Sequence, residues 1–263
     1  AHTERYFNHN VHSVRLLRTV VHSNLSLQTL NGMLCHCGEK AFAQYGPAPC
    51  NSFEELTAMM ERCYVEPGAS QFLRPSTLEG CVVRISDILG YLGKDRQDAI
   101  TVGLLNEDTY PLRNNAIGKV NREFIGNVST NLIKNSLGKP YLKMDEEVYE
   151  GLIEAKAQNG REIYSSAQAH ERLDDVMEQM MTRLYERCRE DLIAGDESSP
   201  IFRHHINAWM IKRRPDYASE PVDDIVVDYL ACMTDEYLVA LFNHLFPEEA
   251  IPEQELYVPY FQA

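Results

Sequence analysis

The chain has no C-x-x-C pair, no H-E-x-x-H, no G-x-S-x-G, no P-loop and no G-x-G-x-x-G. The last four absences remove the common hydrolase, kinase and dehydrogenase readings. Seven cysteines, an odd number, stand at Cys35, Cys37, Cys50, Cys63, Cys81, Cys188 and Cys232, which argues against a disulfide framework and for a reducing cytoplasm. No stretch approaches the roughly 18 uninterrupted apolar residues of a membrane span, and no signal-peptide pattern opens the chain. Positive charge is scarce: 25 Lys and Arg face 39 Asp and Glu, for a net charge of -14. That balance excludes nucleic-acid binding by bulk electrostatics. Alternation of period two is also rare, and no internal repeat or low-complexity tract appears.

What is present is the 3.6-residue period, over almost every long segment, in 263 residues of which 44% are hydrophobic and 24% charged. The chain therefore reads as an all-α globular protein large enough to bury a core. Helices are expected over 6–21, 26–43, 53–64, 78–100, 118–136, 145–158, 173–193 and 202–212, with a helix pair or one long helix over 221–246. Ser52 is placed to cap the third of these with Glu55 in the reciprocal position, and Ser76 or Thr77 the fourth.

The fourth helix, LEGCVVRISDILGYLGKDRQDAI, carries the most information. Asp87, Tyr91 and Asp95 recur every four residues and so share one face, while Val82, Val83, Ile85, Ile88 and Leu89 are expected to cover the side that packs. A carboxylate on such a helix needs a partner, because burying it charged and alone costs several kcal/mol. The residues leave two kinds of partner open for Asp87, a metal ion or a salt bridge to Arg84 or a neighbouring helix. Tyr91 and Asp95 are equally open: they fit sugar hydroxyls, and they also fit a buried phenol beside a solvated carboxylate.

A second cluster is FNHNVHS, over 7–13. His9 is a candidate general acid because imidazole titrates near neutral pH; a plain metal site with His12, or surface rings, are the alternatives. Cys35-His36-Cys37 is read as buried small side chains, not a zinc clip, since neighbouring residues on a helix diverge by about 100°. His204-His205 reads as helix packing with polar edges. Lys212-Arg213-Arg214 reads as a solvated helix end that could meet phosphates.

In order along the chain, FNHNVHSVRLL, the Asp87–Tyr91–Asp95 helix, LKMDEEVYEGLIEAKAQNGREIYSS and VVDYLACMTDEYLVALF resemble the HD-domain deoxynucleoside triphosphate triphosphohydrolases, the dGTPase-like family. The resemblance covers essentially the whole chain. It implies an HD-domain helical core with additional C-terminal helices, a single domain over 1–263 in which 1–115 forms the catalytic-core helices and 116–263 accessory and oligomerisation helices. It also implies hydrolysis of a dNTP to deoxynucleoside and triphosphate, a divalent cofactor such as Mg, Mn or another transition metal, a possible nucleotide effector and a homo-oligomer. Asp87 matches the family's metal-binding aspartate, and His9 the histidine that protonates the leaving nucleoside oxygen. Tyr91 and Asp95 match the residues that hold the sugar, and His2 matches a short histidine box. Arg15, Arg18 and Lys212 are assigned to phosphates from residue type.

The sequence departs from the family in lacking any His-Asp doublet, and most of the expected metal ligands with it. An N-terminal segment upstream of Ala1 is expected to carry them. His12 also stands where the family box has glutamine. The alternatives are an HD-domain phosphohydrolase acting on another nucleotide or phosphoester, and a catalytically silent nucleotide-binding or assembly protein.

Overall fold

The computed structural model describes residues 5–37, 42–165, 167–208, 214 and 216–249. Within them the chain is all-α apart from one antiparallel ribbon, β1 (Gln44–Tyr45) with β2 (Leu142–Lys143), paired Gln44 to Lys143 and Tyr45 to Leu142. No helix of the described residues is long and apolar enough to cross a membrane.

The chain divides into two compact units, Ala1–Arg15 with Asn24–Ser166, and Leu16–Ser23 with Ala167–Ala263. The first contains α1 (His9–Arg15), α2 (Leu27–Leu34), α3 (Phe53–Val65), α4 (Leu78–Thr101), α5 (Asn121–Ser136) and α6 (Glu146–Asn159). A π-helical turn, Gly160–Tyr164, continues α6. α5 and α6 belong to the core of α4: Ile85, Ile88 and Leu92 pack with Phe124, Val128 and Leu152. A Cβ added at Gly93 of α4 would stand 2.2 Å from the Asn121 side chain, so only glycine admits the start of α5 there. A neighbouring core joins Val11 and Val14 of α1 to Leu30 and Leu34 of α2 and Leu56 of α3.

The start of α4 is fixed by Thr77, whose hydroxyl accepts from the Gly80 amide at 3.0 Å; Ser76 instead donates its amide to Asn31 Oδ1 at 2.7 Å. Thr77→Ala is expected to lower stability by about 1 kcal/mol in urea unfolding, and an unchanged midpoint would count against the cap. The packing side of α4 matches the sequence expectation at Ile85, Ile88 and Leu89 and differs from it at two positions. Val82 and Val83 are 47% and 51% exposed, and the buried stripe is Cys81, Ile85, Ile88, Leu92 and Ala99, together with the guanidinium-bearing Arg84 and Arg96. The helical angle explains this: residues 81, 85, 88 and 92 follow the three-or-four spacing, and Val83 falls one turn before Asp87 on the opposite stripe.

α2 ends at Leu34 instead of running to residue 43. The reason is Arg84, which is 1% exposed and donates to the carbonyls of Cys35 (3.0 Å), Cys37 (2.8 Å), Leu73 (2.8 Å) and Gln71 (2.9 Å). Carbonyls taken by a guanidinium are withdrawn from a helix ladder, and Cys35–Cys37 leaves the axis.

The second unit comprises the π-helical turn Leu16–Val20, α7 (Ala167–Ala194), a second π-helical turn Phe202–Ile206, α8 (Val222–Ala231) and α9 (Asp235–Leu245). The last two are a pair, not one helix, because Thr234 caps α9 by accepting from the Tyr237 amide. Its core holds a polar chain: His205 Nε2 lies 2.7 Å from the Tyr217 hydroxyl, which donates to Asp228 Oδ2 at 3.0 Å. With the tyrosine proton directed to Asp228, His205 Nε2 is the donor. All three side chains are buried, and burial pushes the His205 imidazole down to about 4 against the opposing charge of Asp228.

Candidate functional site

α1 and α2 bring His9 beside the loop that α2 leads into. Asn10, 1% exposed, donates to the Leu34 carbonyl at 2.5 Å and fixes the end of α2 against α1. From that anchored end Cys35 turns inward to the core, while His36 and Cys37 turn toward His9. Cys37 Sγ lies 2.6 Å from His9 Nε2 and 3.1 Å from His36 Nε2. The two imidazoles meet edge to face, with centroids 5.4 Å apart. His36 Nδ1 lies 2.6 Å from the Met33 carbonyl, which makes Nδ1 the protonated nitrogen and leaves the Nε2 lone pair facing the sulfur. The reading of Cys35-His36-Cys37 as buried small side chains therefore holds for Cys35 alone. The divergence expected of neighbouring helical residues does not apply, because His36 and Cys37 lie beyond the helix.

Asp87 is exposed on α4, and its carboxylate charge acts on the Cys37 thiol. Burial first, and Asp87 second, push that thiol up to about 12, against the lowering effect of Arg84. The alternative of an Asp87–Arg84 salt bridge is not what forms: the Arg84 guanidinium is turned to four backbone carbonyls. His12, the other histidine of the box, is buried with its ring tilted against Phe7 at 5.4 Å, so the helical pair His9–His12 gives way to His9–His36.

Two turns along α4, about 12 Å from Asp87, the half-buried Asp95 accepts a hydrogen bond from the Tyr164 hydroxyl. Burial, this bond and the charge of Asp95 push the Tyr164 phenol well above the ordinary tyrosine range, and Tyr91 adds to the shift. Tyr91 is half-buried against the α4–α6 core. Beneath them, buried Arg96 donates to Asn159 Oδ1 (3.0 Å), Glu162 Oε2 (2.9 Å) and the Tyr110 carbonyl (2.6 Å), while Asn159 donates to the Leu92 carbonyl at 2.8 Å. Burial alone would raise Glu162, but hydrogen bonds from Arg96 and Gln158 and the charges of Arg96 and Arg113 outweigh it and hold the carboxyl low. The network pins the π-helical turn that carries Glu162 and Tyr164 to α4, and so fixes Tyr164 against Asp95.

A cavity of about 490 Å³ opens beside His36, lined among others by Ser13, Gly32, Met33, Gly80 and Val83. Its volume is in the range of small-molecule sites. At its wall α2 and α4 approach closely at Gly32 and Gly80, where a Cβ on Gly80 would lie 3.6 Å from the Gly32 Cα.

Of the residues singled out from sequence, Asp87, Tyr91 and Asp95 share a face of α4, and His9 lies against Cys37, whose thiol senses the Asp87 charge. His2 and Lys212 lie outside the described residues. Arg15 and Arg18 are half-buried and belong to different units. Sequence reasoning did not anticipate the contacts of His36 and Cys37 with His9 or of Tyr164 with Asp95. The first two were visible as an odd triplet, and the last had no signal of its own.

Among known proteins, the chain is similar to three named deoxyguanosinetriphosphate triphosphohydrolase-like protein. That from Caldanaerobacter subterraneus subsp. tengcongensis is 29% identical over 188 residues, 70% of this chain and 50% of the relative. That from Clostridium tetani is 22% identical over 254 residues, 91% of this chain and 60% of the relative. The protein from Desulfatibacillum aliphaticivorans is 23% identical over 175 residues, 65% and 47% respectively. The chain thus spans about half of the length of the curated relatives it matches. No family model matches, and no solved structure matches. The similarities make the chain a distant relative of triphosphohydrolase-like proteins.

Proposed function

We propose that the chain forms part of the nucleotide site of an HD-type deoxynucleoside triphosphate triphosphohydrolase. The observation that supports this reading is the run Asp87, Tyr91 and Asp95 along one face of α4, with Tyr164 hydrogen-bonded to Asp95; His9 lies against Cys37, whose thiol senses the Asp87 charge. The names of the relatives support the substrate class. In this reading Asp95, oriented by Tyr164, and Tyr91 hold the deoxyribose hydroxyl. Water attacks the α-phosphorus and gives up a proton to solvent, the bond from phosphorus to the sugar 5′ oxygen breaks, and His9 gives a proton to that oxygen as the deoxynucleoside leaves. The triphosphate retains the attacking oxygen.

The divalent ion belonging to this proposal fits the described residues only in part. Asp87 offers one carboxylate, and among the described residues it belongs to no group of three or more ligands able to share an ion. A homo-oligomer and an effector nucleotide are part of the same proposal and rest on the family resemblance.

The test is chromatographic detection of deoxynucleoside and triphosphate after incubation with each dNTP and Mg²⁺, Mn²⁺ or Co²⁺. Triphosphate release is expected, and Asp95→Asn should raise KM about tenfold through one weakened hydrogen bond. Inorganic phosphate in place of triphosphate would favour another phosphoester substrate. Binding without turnover would favour the silent nucleotide-binding protein.

A further inference from the structure

We propose that His9, His36 and Cys37 bind one borderline-soft divalent ion, with zinc as the reference case, in a three-ligand site whose fourth position is open. The assignment stands on geometry and does not rest on the nucleotide reading. Among the described residues these three form the group able to share an ion, all ligand atoms lying within 4.8 Å of one another. Two imidazole nitrogens and a thiol sulfur are a donor set that favours zinc, cobalt or copper over magnesium or manganese, which prefer oxygen. The site therefore differs in kind from a carboxylate-rich centre at Asp87.

Three further features prepare it. The Met33 carbonyl holds His36 Nδ1, so Nε2 presents its lone pair, the outer-shell arrangement that orients metal-bound histidines. Arg84 grips the Cys35 and Cys37 carbonyls and fixes the loop on both sides of His36. Asn10 ties α1 to the end of α2, which holds His9 opposite that loop. With metal–nitrogen bonds of about 2.0 Å and a metal–sulfur bond of about 2.3 Å, tetrahedral ligation separates nitrogen from sulfur by about 3.5 Å. The present separations of 2.6 and 3.1 Å reach that by side-chain movements of less than about 1 Å.

His9 is exposed and the other two are half-exposed, so solvent reaches the open position. On binding, the Cys37 thiol releases its proton to solvent as the sulfur–metal bond forms, while His36 and His9 bind through neutral Nε2. The ion and a proton on His9 Nε2 exclude each other, so an occupied site withdraws His9 from acid catalysis.

Titration of the reduced full chain with Co²⁺ tests the assignment. A near-ultraviolet thiolate-to-cobalt charge-transfer band saturating at one equivalent is expected, with visible bands of tetrahedral intensity; Zn²⁺ should abolish it and excess Mg²⁺ should not. Cys37→Ser should lose the charge-transfer band, and His36→Ala should weaken binding at least about tenfold. Cys232→Ser, at an exposed thiol, should retain both. Circular dichroism separates loss of the site from loss of the fold. No band in the wild-type chain would overturn the site, as would a band that survives Cys37→Ser or that disappears in Cys232→Ser.

Discussion

Replacing Arg84 with leucine is expected to cost about 3–5 kcal/mol of stability and about 10 °C or more in Tm. The guanidinium is buried, and its stabilisation comes from geometry: two terminal nitrogens serve four carbonyls from Cys35, Cys37, Leu73 and Gln71. Hydrogen bonds from a charged donor contribute about 1.5–3 kcal/mol each, but the cost of burying the charge offsets much of the sum. Leucine removes both, and four carbonyls, those of Cys35 and Leu73 in buried bonds, then lose their donors. Lysine keeps the charge but not the fork, so Arg84→Lys should fall between leucine and the wild type. Urea unfolding of the three proteins decides it. A leucine variant with the wild-type midpoint would show that water replaces the guanidinium at no cost.

Acidification is expected to weaken the second unit through His205. Its imidazole titrates at about 4 in the folded chain instead of its ordinary 6.5. Between those values the unfolded chain binds a proton that the folded chain excludes, so stability is complete above the unfolded value and falls as pH drops toward the folded one. At about 1.4 kcal/mol per pH unit, the loss reaches about 2–3 kcal/mol near pH 4.5. His205→Gln keeps a donor for the Tyr217 hydroxyl and has nothing to titrate. Its stability relative to the wild type should therefore rise by that amount on going from about pH 7 to about pH 4.5. Equal losses in both proteins would assign the acid sensitivity to other groups.

Much of α4 was legible in sequence, because helical spacing alone puts Asp87, Tyr91 and Asp95 on one face and a hydroxyl residue at its start. The same spacing misplaced Val82 and Val83, since apolar character does not reveal which of two apolar stripes meets the core. It also offered Arg84 as one possible partner for Asp87, although a guanidinium can find its partners in backbone carbonyls that sequence does not place. The meeting of His9 with Cys37 spans 28 positions and depends on α2 stopping at Leu34. Tyr164 reaches Asp95 from a π-helical turn, whose extra residue per turn shifts the face and hides it from a 3.6-residue count. His205, read as packing with a polar edge, is buried and hydrogen-bonded.

The chain crosses from the first unit to the second between Arg15 and Leu16, inside one continuous helical stretch, and returns at Asn24. Val20, fully buried, completes a core otherwise built from Met180, Leu184, Ile225 and Phe242. The two units are thus interlaced along the chain. Cutting once after residue 166 would part the C-terminal piece from the Leu16–Ser23 segment, so a minimal fragment of the second unit has to carry that segment grafted back. Gene fusion or recombination at residue 166 would meet the same obstacle, which ties the inheritance of one unit to that of the other.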